Sequence, residues 1–445
     1  MPASAESPIC VIGAGSSGLV AAKNLRQQGF AVEVLEREND LGGNWNYALP
    51  CSRVYRSTHM ISSRRFTQYP DFPMPREFPQ YPRHDQVLAY LRSYAQHFAL
   101  AECIRYQTAV EEILPVDDGN AWQVRTASSS NGTNNADGPV VQTRQYSAVV
   151  IANGHHWSPR QPQYPGEFHG HALHSAAYKT PDILQGRRVL VVGGGNSGCD
   201  IAVEAAQHNA VTFHSTRRGY RYIPKWIFGS PSDVALDQLH AWHVPLWLRR
   251  ILVGLSLRIA VGPQSRYRLR LPDHRLFESH PVVNSLLPYY AGQGDIRPKP
   301  DIARLERDRV VFVDGTVEPI DVIVYATGYN LEFPFIDRQW LNWRDGRPGL
   351  HLHLFHPTFD NLFVAGMIQP DSGIFSLVDW QTQAIALFLA AVRDGRPAAA
   401  WMRGEKAAAR PPSAGIHYTD SPRHSIEVEH WSYMKTLKKL IRRLR

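Results

Sequence analysis

Cysteine is scarce in this chain, and the four present, Cys10, Cys51, Cys103 and Cys199, stand far apart with no Cys-x-x-Cys pair. That spacing offers neither a disulfide framework nor a zinc site, and it fits a reducing cytoplasm. The most apolar late stretch, residues 244 to 261, carries Arg249, Arg250 and Arg258, which argues against a membrane span. No signal peptide is expected, because Met1 to Ser7 is small and polar and the apolar run Ile9 to Ile12 leads straight into glycines, as a buried strand does. Acids are absent from the last eleven residues, which hold Lys435, Lys438, Lys439, Arg442, Arg443 and Arg445. The formal net charge of +8 less those six leaves +2 for the rest of the chain. The basicity therefore belongs to a tail, and no nucleic-acid surface is expected on the body. With 445 residues, 43% of them hydrophobic and 20% charged, two or more domains with sizeable cores can form.

What is present starts with a strand, a glycine loop and a helix. Ile9 to Ile12 reads as the strand, Gly13-Ala14-Gly15-Ser16-Ser17-Gly18 as the turn, and Leu19 to Gln28 as the helix. Ala31 to Leu35 is the next strand and ends at Glu36. Glycines let the backbone approach a pyrophosphate, the helix N-terminus supplies free N–H groups, and an acid at the second strand's end accepts hydrogen bonds from ribose hydroxyls. Leu41-Gly42-Gly43-Asn44-Trp45 follows; either its backbone approaches the nucleotide, or it is a loop with a core tryptophan.

Residues 69 to 82 form a proline- and aromatic-rich extended loop, and Asp85 to Phe98 repeats apolar residues at helical spacing. Strands are expected at Ile104 to Ile113, Ala121 to Thr126 and Val140 to Arg144, with a polar hairpin loop from Ser128 to Gly138. Ser147 to Gly154 and Ile320 to Tyr329 each read as a buried strand running out into a glycine turn, as expected where a chain crosses between domains.

A second strand, glycine loop and helix begins at Val189 and turns through Gly193-Gly194-Gly195-Asn196-Ser197-Gly198. Its next strand, Val211 to His214, ends in Ser215-Thr216-Arg217-Arg218 where the first unit has an acid. A carboxylate there repels a 2′-phosphate, whereas a hydroxyl and a guanidinium bind one, so the second nucleotide is expected to be NADP(H). Two dinucleotide loops in one chain point to redox chemistry, and the lack of Cys-x-x-Cys argues against thiol–disulfide exchange. Trp226 to Gly292 is an aromatic, partly helical insertion suited to a lid or an entrance. Asn361 to Gly366 is a strand reaching a glycine, and Trp380 to Val392 a long apolar helix, either facing the cofactor or packing in the core. The tail places Trp431, Met434, Leu437, Ile441 and Leu444 on one helical stripe among its cations. It either packs on the body or lies peripherally on an anionic membrane.

Together these features resemble the flavin-containing monooxygenase family, from Ile9 to about Val392. The most specific element is the spacing of Phe168, Gly170, His174, Tyr178 and Lys179, set between the two glycine loops. Leu-Gly-Gly-x-Trp at 41–45, Tyr69-Pro70-Asp71-Phe72-Pro73 and Ala326-Thr327-Gly328-Tyr329 also match. The resemblance implies an α/β fold of two Rossmann-like dinucleotide-binding domains, the NADPH domain inserted into the FAD domain. Residues 1–160 and 315–445 would form the discontinuous FAD domain. Residues 161–314 would form the NADPH domain with its helical insertion at about 226–292, and 431–445 the basic tail. It implies FAD at Gly13, Gly15, Ser17, Gly18, Glu36, Gly43 and Trp45. NADPH falls at Gly193, Gly195, Asn196, Ser197, Gly198, Ser215, Arg217 and Arg218. Thr327, Gly328 and Gln381 meet the cofactors as the chain returns.

The implied reaction reduces the flavin with NADPH, adds O2 to give a C4a-hydroperoxide, and passes one oxygen atom to a nitrogen or sulfur centre of a small molecule, or to a carbonyl in Baeyer–Villiger fashion. No metal or catalytic triad is then required. One position departs from the family. Relatives commonly carry Asn eight residues before the Tyr of Tyr-Pro-Asp-Phe-Pro; here Ile61 stands there, followed by Ser62 and Ser63. Isoleucine cannot make the amide's hydrogen bonds. Ile61 and Ser62 are therefore the residues expected at the catalytic position, and an NADPH oxidase that releases hydrogen peroxide stays open as an alternative.

Overall fold

The computed structural model describes residues 7–128, 139–408, 410, 412, 415–419 and 424–445. Beyond Ser128, the loop expected up to Gly138 lies outside the described residues.

Ile9–Ile12 is buried along its whole length, so the strand is apolar on both faces, as a covered parallel strand must be. It pairs in parallel with Val32–Leu35 on one side and Ala148–Ile151 on the other. Leu362–Val364 and Ile104–Arg105 complete a five-stranded sheet as its two edges. The span expected as one strand from Ile104 to Ile113 is divided. Gln107 adopts a positive φ of 51°, and beyond it Thr108–Val116 joins an antiparallel sheet with Ala121–Ser128 and Val140–Tyr146.

A second five-stranded parallel sheet runs His171–His174, Val322–Tyr325, Arg188–Val192, Val211–Ser215, Ile296–Lys299. It is built entirely from residues that lie between Ile151 and Leu362 of the first sheet. Val322–Tyr325, expected with the returning segment from 315 onward, sits inside this second sheet instead. Its four residues are all buried and need a partner strand on each side, so the return crossing comes after Tyr325.

The helices Ser16–Gln27 and Phe375–Arg393 pack together beneath the first sheet. Between them lies a buried ion pair. Lys23 donates to Asp379 at 3.0 Å and to Asp71 at 2.6 Å, and Asn24 also donates to Asp379. Asp71 is the acid of the Tyr-Pro-Asp-Phe-Pro segment, and Tyr69 of that segment donates to the Ser16 carbonyl at 2.6 Å. The segment is thus a brace for the helix that leaves the first glycine loop. Among the described residues one helix is long and apolar enough to cross a membrane, Phe375–Arg393, and 78% of that stretch is buried in the protein.

The expected insertion holds helices Ser232–Ala241, Leu246–Ala260 and Leu286–Gln293. The tail forms the helix His430–Leu444, capped by the Glu429 carboxylate, which accepts from the Ser432 N–H at 2.7 Å. Its apolar stripe is already used: Leu437, Ile441 and Leu444 are buried, and the helix packs on Phe375–Arg393. Of its cations, Lys438 lies over the Trp380 ring and Arg443 over the Trp401 ring, at 4.8 and 4.1 Å. The stripe thus packs on the body through Leu437, Ile441 and Leu444, with Trp431 and Met434 half-buried.

Candidate functional site

The two glycine loops are built alike. Gly13 has φ of 100°, and a Cβ there would stand 2.8 Å from the Ala152 carbonyl oxygen; Gly193 has φ of 121°, and its Cβ would stand 2.3 Å from that of Ala326. One residue type therefore fits each turn, because the neighbouring strand exit runs directly behind it. Gly18 and Gly198 are as tightly held: a Cβ on either would meet the carbonyl oxygen of Gly13 or Gly193 at 1.8 or 2.0 Å. Gly15 and Gly195 lead into the helices Ser16–Gln27 and Asn196–Gln207, whose first N–H groups face the loops. Ser17 and Ser197 sit in those first turns. Gly43, at φ of 51°, lies against Gly15, so the 42–45 loop covers the first glycine turn. Trp45, half-buried, packs at the edge of the main core.

The strand ends differ, as expected. Glu36 is buried, and its carboxylate accepts from the Ala14 N–H at 2.6 Å and the Glu38 N–H at 2.9 Å. Burial pushes its carboxyl up, against those two hydrogen bonds. Such a fixed acid beside a glycine turn suits ribose hydroxyls. At the second site the four polar residues separate into roles. Ser215 is buried and donates to the Pro300 carbonyl at 2.7 Å, so its hydroxyl is occupied within the fold. Arg218 makes a two-pronged pair with Asp273 at 2.9 Å. Arg217 is exposed and has no carboxylate partner among the described residues. Arg160, which sequence reasoning did not single out, joins it: burial and the neighbouring Arg217 charge hold its guanidinium below the usual range. Arg160 donates to Asn330 Oδ1 and to the Tyr329 carbonyl, both at 3.2 Å, and like Arg217 it meets no carboxylate among the described residues. Both cradles therefore fit a dinucleotide, the second one with an extra phosphate.

Asn196 is drawn aside as well. Its side chain accepts from the Val283 N–H at 2.8 Å and donates to the Pro281 carbonyl, which ties the insertion to the second loop. Thr327 donates to the Arg160 carbonyl at 2.5 Å, and Arg160 N–H donates to Gly328, whose φ is 84°. Thr327 and Gly328 thus fasten the returning crossing to the outgoing one. Gln381, expected at a cofactor, is fully buried; it accepts from the Gly366 N–H at 2.9 Å and donates to the Tyr433 hydroxyl at 2.7 Å. Both ends of its amide are satisfied inside the protein, so the side chain serves the fold at Gly366 and Tyr433.

The Phe168–Lys179 spacing is a joint between the sheets. A Cβ at Gly170 would meet the Asp321 carbonyl oxygen at 2.6 Å, and His174 accepts from the Ala176 N–H. Tyr178 is buried and donates to Glu204 on the helix of the second loop at 2.5 Å. Lys179 reaches across to the Ser52 and Val54 carbonyls at 3.0 and 3.1 Å.

A cavity of about 910 Å3, part of it open to solvent, lies where these parts meet. Ile61 and Ser62 form one wall, Ile223, Pro281 and Val283 of the second half another, and Pro370, Asp371 and Glu427 a third. Ser62 shares its hydroxyl with Thr67 at 2.9 Å, so neither Ile61 nor Ser62 presents a free amide or hydroxyl in the manner of asparagine.

Two cradles of this kind in one chain suit an oxidoreductase that holds two dinucleotides. A family model described as flavin-binding monooxygenase-like matches residues 6–443, and the chain belongs to that family. Rabbit (Oryctolagus cuniculus) dimethylaniline monooxygenase (N-oxide-forming) 2 is 32% identical over 398 residues, 84% of this chain and 72% of its own. The structure of S-allyl-L-cysteine S-oxygenase from Allium sativum superposes with a TM-score of 0.67 at 21% identity, over 98% of this chain and 88% of that one. Oxidised steroid monooxygenase bound to NADP gives 0.66 at 19%, over 98% of each. The protein is a flavin-dependent monooxygenase.

Proposed function

We propose that the two halves are Rossmann-like domains, one inserted in the other, with FAD on the Gly13–Gly18 loop and Glu36, and NADPH on the Gly193–Gly198 loop and Arg217. The reaction is oxygenation of a nitrogen or sulfur centre in a small molecule held in the cavity. The observation that carries this reading is the position of the cavity. Its walls come from Ile61–Ser62, from the 281–283 segment tied to Asn196, and from Pro370 and Asp371 just past the first sheet's exit at Gly366. A substrate there sits beside both cofactors. The flavin, once reduced, supplies activated oxygen; the protein's part is to hold the nucleotides, orient the substrate and keep water out.

Rapid mixing of reduced, NADP+-bound protein with O2 tests it. A long-lived near-ultraviolet species, followed by oxygenated product when an amine or thioether is added, is the expected result. Immediate reoxidation with stoichiometric peroxide, unchanged by substrate, would overturn oxygenation. It would leave the second reading, an NADPH oxidase, which the apolar Ile61 side chain at the catalytic position favours.

A further inference from the structure

One wall of the cavity holds two acids, Glu427 and Asp371, that pair with no lysine or arginine among the described residues. Glu427 is 5% exposed and faces the cavity. One of its carboxylate oxygens meets His280 Nδ1 at 3.2 Å; the other, Oε1, is buried and has no hydrogen-bond partner among the described residues. Beside it Asp371 accepts the His430 N–H at 2.9 Å. Burial and the charges of Glu429 and Glu427 push its carboxyl up to about 7. The cavity does contain guanidiniums, Arg221 and Arg275, but among the described residues neither pairs with Glu427 or Asp371. Arg221 is turned to the His274 carbonyl at 3.0 Å. A buried carboxylate oxygen without a donor is costly, and a donor brought by a ligand removes that cost.

We propose that Glu427, with Asp371 beside it, forms a recognition subsite for a cationic group, so that the substrate is a small sulfur or nitrogen nucleophile carrying a separate ammonium or guanidinium. This rests on the cavity being the substrate site, as proposed above. The oxygenated atom itself stays uncharged, because a protonated amine has no lone pair to offer. The cation's place is the Glu427 wall, and the nucleophile's place is toward Ile61 and Ser62.

Two near-isosteric thioethers test the subsite, 2-(methylthio)ethylamine, charged at neutral pH, and 2-(methylthio)ethanol, which is not. Their Kd values for the oxidised FAD protein are read by calorimetry, and their conversion is read as sulfoxide. The amine is expected to bind roughly tenfold or more tightly than the alcohol, and Glu427→Gln to collapse that ratio to within about twofold. Asp371→Asn, expected to reduce the ratio in part, is the second variant should Glu427→Gln fail to retain flavin. Equal Kd values for the two thioethers in the unmodified protein, or a ratio that survives both substitutions, would overturn the subsite. The preferred binding of the amine without any sulfoxide, with peroxide instead, would leave the subsite standing and sink the oxygenation reading.

Discussion

The two halves of this protein repeat one device and then diverge at one point. In each, a buried strand runs into a glycine whose missing side chain lets a neighbouring strand's exit pass behind it, Ala152 behind Gly13 and Ala326 behind Gly193. In each, a later glycine seats the helix against the turn. The halves part at the end of the next strand. The first places a buried carboxylate there, held by two backbone N–H groups. The second places an exposed guanidinium, Arg217, without a carboxylate partner among the described residues. On the function proposed above, the shared device is what lets both halves hold a dinucleotide. The single divergence explains why they need not bind the same one, since the sign of the charge decides whether a 2′-phosphate is repelled or held.

The strongest way to break this comparison is to close one turn at a time. Gly18→Ala puts a Cβ 1.8 Å from a backbone oxygen, and Gly198→Ala puts one at 2.0 Å. Neither oxygen belongs to a side chain that can swing away, so the helix must move off its loop. Gly18→Ala is expected to yield protein nearly free of FAD. Gly198→Ala is expected to keep its FAD, which dithionite still reduces, while reduction by NADPH slows by about 100-fold or more, on the scale of losing about 3 kcal/mol of placement. Flavin content and anaerobic reduction traces decide it. If both variants lose FAD, or both keep normal reduction, the halves do not hold separate nucleotides.

The repeated device was legible in the sequence because it is local: strand, glycines, helix and strand end all fall within about thirty residues. What lay beyond that reach was not. Arg217 and Arg218 are indistinguishable by type and position; Asp273, which occupies Arg218, lies 55 residues on. Gln381 had the right address for a cofactor contact, yet Gly366 and Tyr433, the latter 52 residues away, take both ends of its amide. The tail's helical period was readable, but not that Phe375–Arg393 covers its apolar face. The expected strand from Ile104 failed at Gln107, where a positive φ in a residue other than glycine leaves no compositional mark. Two of the cavity's acids, Asp371 and Glu427, come from segments with no motif, and only the fold puts them together with Ile61.

The comparison is sharpened at the strand ends. Arg217→Ala is expected to weaken NADPH by about 1–3 kcal/mol, roughly 5- to 150-fold in Kd, and to change NADH little. Arg218→Ala, which first breaks the exposed pair with Asp273, should cost less than about 1 kcal/mol in either ligand. Kd values for both nucleotides, measured on both variants, test the division of labour. Equal losses for NADPH and NADH in Arg217→Ala would remove the phosphate from that residue, and a larger loss in Arg218→Ala would transfer it to its neighbour.

The smallest expected effect separates the halves by the sign of an acid's response to pH. In the second half Asp321 is held down at about 2, first by the Arg188 guanidinium and then by the Arg188 N–H. A carboxyl lowered in the folded state contributes stability above its unfolded value, near 3.8, and loses it as the pH falls through the folded value. The contribution should therefore fade between about pH 4 and about pH 2. It should not exceed about 1 kcal/mol, because both partners are more than a third exposed. In the first half Glu36 is shifted upward by burial, so its contribution has the opposite sense, present at low pH and lost as the pH rises through the folded value. The two acids thus cannot imitate each other. Melting temperatures of the FAD protein and of Asp321→Asn, compared from pH 7 downward, should differ most at neutral pH and converge below about pH 4. A gap that stays constant through that window would mean that Asp321 acts by packing rather than by charge, and that Arg188 is not what anchors Val322–Tyr325 beside the second glycine loop.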